Sequence, residues 1–208
     1  MTLKLPGIIA CVVMLFTLSV SFNAGAAEGP KEQVKETIDK VLTILKDKEL
    51  NKNSRMAERR TLIRKEVGDR FDFAEMSKRA LGVNWQKRTP EEKKEFISLF
   101  SDLLEKAYIN RIESYSNEKL MYDDQILDGD YAIVKTRIIT TKNVEVPLVY
   151  RMLRTGSKWS VYDVVIEEVS LISNYRTQFN KILSAKSYED LVRELKNKRV
   201  NYKARDGG

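Results

Sequence analysis

The chain has 208 residues, 42% hydrophobic and 32% charged, with 9 Gly, 4 Pro and one cysteine. That length and balance fit one globular domain and exclude a disordered, collagen-like or polytopic membrane chain. Its 37 Lys and Arg against 30 Asp and Glu give a net charge of +7, and histidine is absent. The commonest general acid–base and the commonest metal ligand are therefore missing.

Residues 1–27 read as a cleaved signal peptide. Lys4 supplies a basic start, Ile8 to Val20 is an apolar run too short to span a bilayer, and Ala24-x-Ala26 fits a signal-peptidase site. Ile8-Ile9-Ala10-Cys11 loosely matches a lipobox, but its apolar stretch follows the cysteine instead of preceding it. Cys11 leaves with the signal, so no intramolecular disulfide or CxxC redox pair is expected. Removing Lys4 leaves 36 basic against 30 acidic residues, a net of +6. Such a balance suits an acidic protein face or an anionic membrane. Export makes nucleic acid the poorest partner, and no nucleic-acid-binding signature is present.

The remaining domain, 28–205, begins with Val34, Ile38, Val41, Leu42 and Leu45 at helical spacing after Pro30. A second helix is expected over Arg55 to Val67, with Met56, Leu62, Ile63 and Val67 as apolar markers and Gly68 as its stop. Asp72 reads as the N-cap of a third, short helix that ends at Gly82. Thr89-Pro90-Glu91-Glu92 is a capping box with proline at the first helical position. It launches a helix of about six turns, to near Tyr115, that carries Phe96, Leu99, Phe100, Leu103, Leu104, Ala107 and Tyr108 on one broad face.

From Lys119 the period changes to two. Lys119 to Leu127, Tyr131 to Thr140, Glu145 to Arg154 and Lys158 to Glu167 are predicted strands, joined by turns at Asp128-Gly129-Asp130, Lys142-Asn143 and Thr155-Gly156-Ser157. Pro147 predicts a bulge or an edge position in the third strand. Helical spacing returns in Leu171, Tyr175, Phe179, Ile182 and Leu183, and Ser187 caps a last helix. The basic tail Lys196 to Arg205 is expected to fray. The fold class is α+β, with several helices packed over a twisted four-stranded antiparallel sheet.

No P-loop, dinucleotide fingerprint or nucleophile elbow occurs. Asp123-Asp124 and Asp128-x-Asp130 form the one dense carboxylate cluster, which a hairpin turn explains better than a calcium loop. Asp163 stands inside an apolar strand, where a carboxylate needs a partner, and Arg151 on the neighbouring strand can supply it. No metal or cofactor is expected. Arg59, Arg60 and Arg64 gather near one face of the second helix, either as solvated surface or as a docking patch for an acidic partner or anionic headgroups.

The same residues resemble the MlaC family, also called the toluene-tolerance family, of periplasmic phospholipid-binding proteins. The matching motifs are Phe71-Asp72-Phe73-x-x-Met76, Ala80-Leu81-Gly82-x-x-Trp85, and Thr89-Pro90 leading into Phe96-x-x-x-Phe100-x-x-Leu103-Leu104-x-x-x-Tyr108. Val149-Tyr150-Arg151, Trp159-x-Val161-Tyr162-Asp163-Val164-Val165-Ile166-Glu167, Val169-Ser170-Leu171 and Asn174-Tyr175-Arg176-x-Gln178-Phe179 follow in order. Glu168 departs from the pattern, standing where a glycine is expected.

The resemblance implies a non-enzymatic periplasmic shuttle for diacyl phospholipid between an inner-membrane ABC transporter complex and an outer-membrane lipoprotein complex. It also implies an apolar pocket between sheet and helices, and a monomer is expected. On that footing Trp85, Phe96, Phe100, Leu103, Leu104, Tyr108, Val134, Tyr150, Met152, Val161, Val165, Val169 and Tyr175 are the candidate lipid-binding residues. The competing readings are an exported enzyme using Asp163 or Asp123-Asp124, a scaffold module of nuclear-transport-factor-like shape, and a carrier of another apolar lipid such as a hopanoid.

Overall fold

The computed structural model describes residues 28–206, so the expected signal peptide and Cys11 lie outside the described residues. Among these residues the chain forms α1 (Pro30–Lys46), α2 (Met56–Arg70), α3 (Phe73–Leu81) and α4 (Pro90–Glu113). Strands β1 (Lys119–Asp128), β2 (Tyr131–Ile139), β3 (Glu145–Thr155), β4 (Lys158–Ile166) and β5 (Val169–Ser170) follow, then α5 (Leu171–Ala185) and α6 (Tyr188–Asp206). The strands build one antiparallel sheet in chain order. None of the described helices is long and apolar enough to cross a membrane.

Local chemistry sets most boundaries. Asp72 accepts from the Glu75 amide at 2.9 Å to start α3, and Gly82 ends it at φ +56°, a conformation that costs glycine little. The Thr89 hydroxyl accepts from the Glu92 amide while the Glu92 carboxylate accepts from the Thr89 amide, so both halves of the capping box form. Ser187 and Asp190 cap α6 reciprocally.

Five details differ from the sequence reading. α2 continues through Gly68 to Arg70, because the chain leaves the helix only where Phe71 bridges Val161 and the Asp72 amide donates to the Val161 carbonyl. A fifth strand, β5, extends the sheet through a two-residue turn at Glu167-Glu168. Pro147 lies in a central strand without a bulge. Its carbonyl accepts from Glu167, on the side where β4 has just ended at Ile166, so the missing amide hydrogen leaves no ladder acceptor unfilled. Asp123 and Asp124 lie within β1 at a bulge, with Asp123 paired to Arg137. The segment after Lys196 is helical, and Lys196 pairs with Glu95 of α4 at 2.6 Å.

Side-chain burial divides into two cores. One is helical, built by Met76, Ala80 and Leu81 of α3, Phe96, Leu99, Phe100 and Leu103 of α4, and Phe179, Leu191 and Leu195. The other lies under one end of the sheet, where Val134, Met152, Trp159 and Val161 pack against Val34 of α1. Phe71 packs against both cores, and α2 spans the space beside them with only Ile63 buried.

Buried polar groups are paired across these layers. The Gln33 side chain accepts from the Trp159 amide and donates to the Ser157 carbonyl, fixing α1 to β4. Asp163 pairs with Arg151 at 3.1 Å, as the neighbouring-strand reading anticipates. It also accepts from the Ser170 hydroxyl and the Ile172 amide, which ties the start of α5 to the sheet. That satisfies a carboxylate only 3% exposed and leaves it no free role.

Candidate functional site

Helix α4 has two apolar faces because its apolar residues cover more than one stripe. Phe96 and Phe100 turn into the helical core, where their rings stand 5.8 Å apart and both meet Phe179 edge to face. Leu104, Tyr108, Ile109 and Ile112 line an adjoining empty space, Leu104 from the edge of the helical core.

That space is a cavity of about 450 Å³ walled by α2 (Ile63, Val67), α3 (Phe73, Met76), α4 and the sheet residues Leu148, Tyr150, Val164 and Ile166. A second chamber of about 440 Å³ adjoins it, closed by Ile38, Val41, Leu42 and Leu45 of α1 and by Leu120, Ile138 and Val146. Tyr108, Ile112, Leu148, Tyr150 and Ile166 wall both chambers. These five side chains stand between the two spaces and line each of them.

The sheet side follows from register. Val134, Tyr150 and Val164 are opposite one another on adjacent strands, as are Thr136, Leu148 and Ile166, so they share a face. A bulge at Tyr162 then reverses the phase of β4: Met152 pairs with Val161, whereas Arg151 pairs with Asp163. Val161 and Val164 both face inward, three residues apart, and Val165 faces the other way.

The chemistry of the walls is inert. Burial pushes the Tyr150 hydroxyl up to about 12, partly opposed by its hydrogen bond with Thr136, and burial raises Tyr108 as well. Both stay neutral near pH 7, so neither acts as a base. No group of three or more His, Cys, Asp or Glu side chains placed to hold a metal occurs among the described residues.

Charge is confined to the rim. Arg64 and Glu105 line the first chamber as an ion pair. Arg59 and Arg60 both grip Glu113 at 2.9 Å, with all three side chains at most 19% exposed. These contacts hold α2 against α4 where apolar packing is sparse. The three arginines that the sequence offers as solvated surface or as a docking patch each pair with a carboxylate of α4. Burial works against the Glu113 carboxylate, but hydrogen bonds and charge from Arg60 and Arg59 outweigh it and hold its pKa below the usual value.

Of the candidate lipid-binding residues, the structure places Leu104, Tyr108 and Tyr150 on the cavity wall. Phe96, Phe100 and Leu103 lie in the helical core, with Trp85 and Tyr175 packed on its margin. Val134, Met152 and Val161 lie in the core under the sheet. Val165 is half-buried on the opposite face, and Val169 is 59% exposed in β5. Ile63, Val67, Ile112, Leu148 and Ile166 were not among the candidates. Leu148 is two residues from Tyr150 and Ile112 is four from Tyr108, so strand and helix periods were the signals that could have found them.

A family model described as MlaC protein matches residues 35–197. The intermembrane phospholipid transport system binding protein MlaC of Haemophilus influenzae is 24% identical over 141 residues, which span 65% of this chain and 66% of that protein, just under two thirds of its length. A phospholipid-binding protein from Ralstonia solanacearum, solved in complex with a phospholipid, superposes with a TM-score of 0.75 at 25% identity. That likeness covers 84% of this chain and 99% of the other.

Proposed function

The chain belongs to the MlaC family, and we propose that it carries diacyl phospholipid between membranes without catalysing a reaction. The observation that supports this most directly is the pair of adjoining apolar chambers that share Tyr108, Ile112, Leu148, Tyr150 and Ile166 as walls. Each chamber falls within the usual ~300–1,000 Å³ of small-molecule sites. Two adjoining chambers suit two acyl chains that diverge from one glycerol. The phospholipid bound to the Ralstonia solanacearum protein supports the same ligand class.

Energetics explain why a carrier is needed. Each CH₂ moved out of water gains about 0.8 kcal/mol, so two long chains crossing water bare would cost on the order of 20 kcal/mol. Walls of Leu, Ile, Val and aromatic rings offset most of that cost. Loading and release then take place at membrane complexes that shield the chains in passage. By family membership those complexes are an inner-membrane ABC transporter and an outer-membrane lipoprotein assembly, and the setting is the periplasm, reached through residues 1–27 as a cleaved signal. The candidates Trp85, Phe96, Phe100, Leu103, Val134, Met152, Val161 and Tyr175 then act behind the walls, as the packing that keeps the chambers open.

Organic extraction of the purified protein followed by lipid mass spectrometry tests this reading. Diacyl phospholipid is the expected yield. If no lipid co-purifies and none loads from phospholipid vesicles, the carrier reading fails.

A further inference from the structure

The charges around the cavity are not equivalent. Arg64 at the first chamber is balanced by Glu105, while Arg59 and Arg60 share the single carboxylate of Glu113. The second chamber is lined by Arg111 and Lys119, both exposed, and no ion pair joins either of them to a carboxylate among the described residues. Glu118 lies between them on the rim, but its carboxylate accepts from the Ser116 amide at 2.7 Å and the Ser116 hydroxyl at 3.0 Å. Arg111 follows Tyr108 by three residues and precedes Ile112 by one, and those are the two α4 residues shared by both chambers. Arg111 and Lys119 against Glu118 therefore leave one surplus positive charge on this chamber, with Arg111 beside the residues from which two diverging chains would have to hang and Lys119 at the start of β1.

We propose that Arg111 and Lys119 form the binding site for the phosphodiester of the carried lipid, at the mouth of the second chamber. The assignment rests on the carrier reading above. Arg offers planar donors that suit a phosphate, and Lys119 offers a mobile point charge whose long stem reaches the chamber from the start of β1. The mouth beside Arg64 is electrically balanced and gives a phosphate little net attraction. Headgroup attachment then selects phospholipids over neutral lipids with the same chains.

The test uses mixed vesicles of phosphatidylglycerol and diacylglycerol with identical acyl chains. The ratio of the two lipids taken up by the protein is read by extraction and mass spectrometry. Because both lipids compete for one protein, the ratio is insensitive to the fraction folded. The double change Arg111→Gln and Lys119→Gln is expected to lower the phosphatidylglycerol-to-diacylglycerol ratio about five- to tenfold, the scale of two partly exposed charge contacts. The charge-matched double change Lys87→Gln and Lys158→Gln, on exposed positions away from the cavity, is expected to leave the ratio unaltered. Arg64→Gln is expected to lower it less than Arg111→Gln alone. An unchanged ratio at Arg111 and Lys119, or an equal fall in the control or at Arg64, overturns the assignment while leaving the carrier reading intact. Uptake of neither lipid by the unsubstituted protein overturns both.

Discussion

Phe100 and Leu104 are one helical turn apart on α4, yet Phe100 closes against Tyr175 and Phe179 while Leu104 walls the cavity. The same kind of truncation should therefore have two different costs. Phe100→Ala empties a packed site and should cost about 3–5 kcal/mol of stability with or without lipid. Leu104→Ala enlarges a space that already exists, so in the lipid-free protein it should cost about 2 kcal/mol, the low end for such a change. With lipid bound the loss should grow, since contacts to the chain vanish. Urea unfolding of lipid-free and lipid-loaded protein measures both, and equal losses for Leu104→Ala in the two states would count against a lipid-facing wall.

The bulge at Tyr162 makes a second, sharper comparison between neighbours. Val164→Asp places a carboxylate on the cavity wall with no partner, a change expected to cost several kcal/mol and to abolish lipid retention. Val165→Asp lies on the outer face, half-buried, and should retain lipid with a loss of about 1 kcal/mol or less. Lipid mass spectrometry on the two variants decides it. Retention by Val164→Asp together with loss by Val165→Asp would mean that β4 runs in the unbulged phase.

These two cases show where the sequence was legible. The capping box at Thr89, the stop at Gly82 and the turns at Gly129 and Gly156 each combine a residue type with a backbone demand, so strand and helix limits fell within a few residues of the structure. Nothing comparable marks the bulge, because Tyr162 is an ordinary strand residue, and a period of two from Val161 puts Val165 instead of Val164 on the inner face. The aromatic face of α4 could not be divided between core and cavity by periodicity, since both demand apolar side chains. The pairing of Arg59 and Arg60 with Glu113 joins residues more than 50 positions apart, and charge runs look the same whether solvated or clasped.

The clasp itself has a pH signature. Glu113 is held below the usual carboxylate value in the folded protein, so it binds a proton less readily there than in the unfolded chain. Its contribution is present above the ordinary pKa of about 4.3 and is lost as pH falls through the lower folded value. Glu113→Gln should thus lower stability by about 2 kcal/mol at pH 7, and the difference from the unsubstituted protein should shrink between about pH 5 and pH 3. Urea titrations at those pH values measure it. A gap that stays constant would mean that the carboxylate is not specifically stabilised by Arg59 and Arg60.

Between β4 and β5 the chain reverses within two residues. Glu167 and Glu168 stand in the left-handed region at φ +47° and +68°, which is the demand of a two-residue hairpin turn that favours Asn-Gly. A residue with a Cβ pays roughly 1–2 kcal/mol there, while glycine pays none of it. Replacing Glu168 by glycine adds about 0.5–1 kcal/mol of chain entropy to be lost on folding, so the net gain should be about 0.5–1 kcal/mol. For a domain of this size that is a rise in Tm of about 2 °C. Glu168→Asn should recover part of the gain, since Asn tolerates the left-handed region, and Glu168→Val should lower Tm because a β-branched side chain fits it worst. Thermal unfolding of the three variants gives the order. If glycine leaves Tm unchanged or lowers it, the turn carries no backbone strain. The glycine expected at this position on family resemblance would then have to serve something other than conformation, such as close approach of a partner to the exposed end of the sheet.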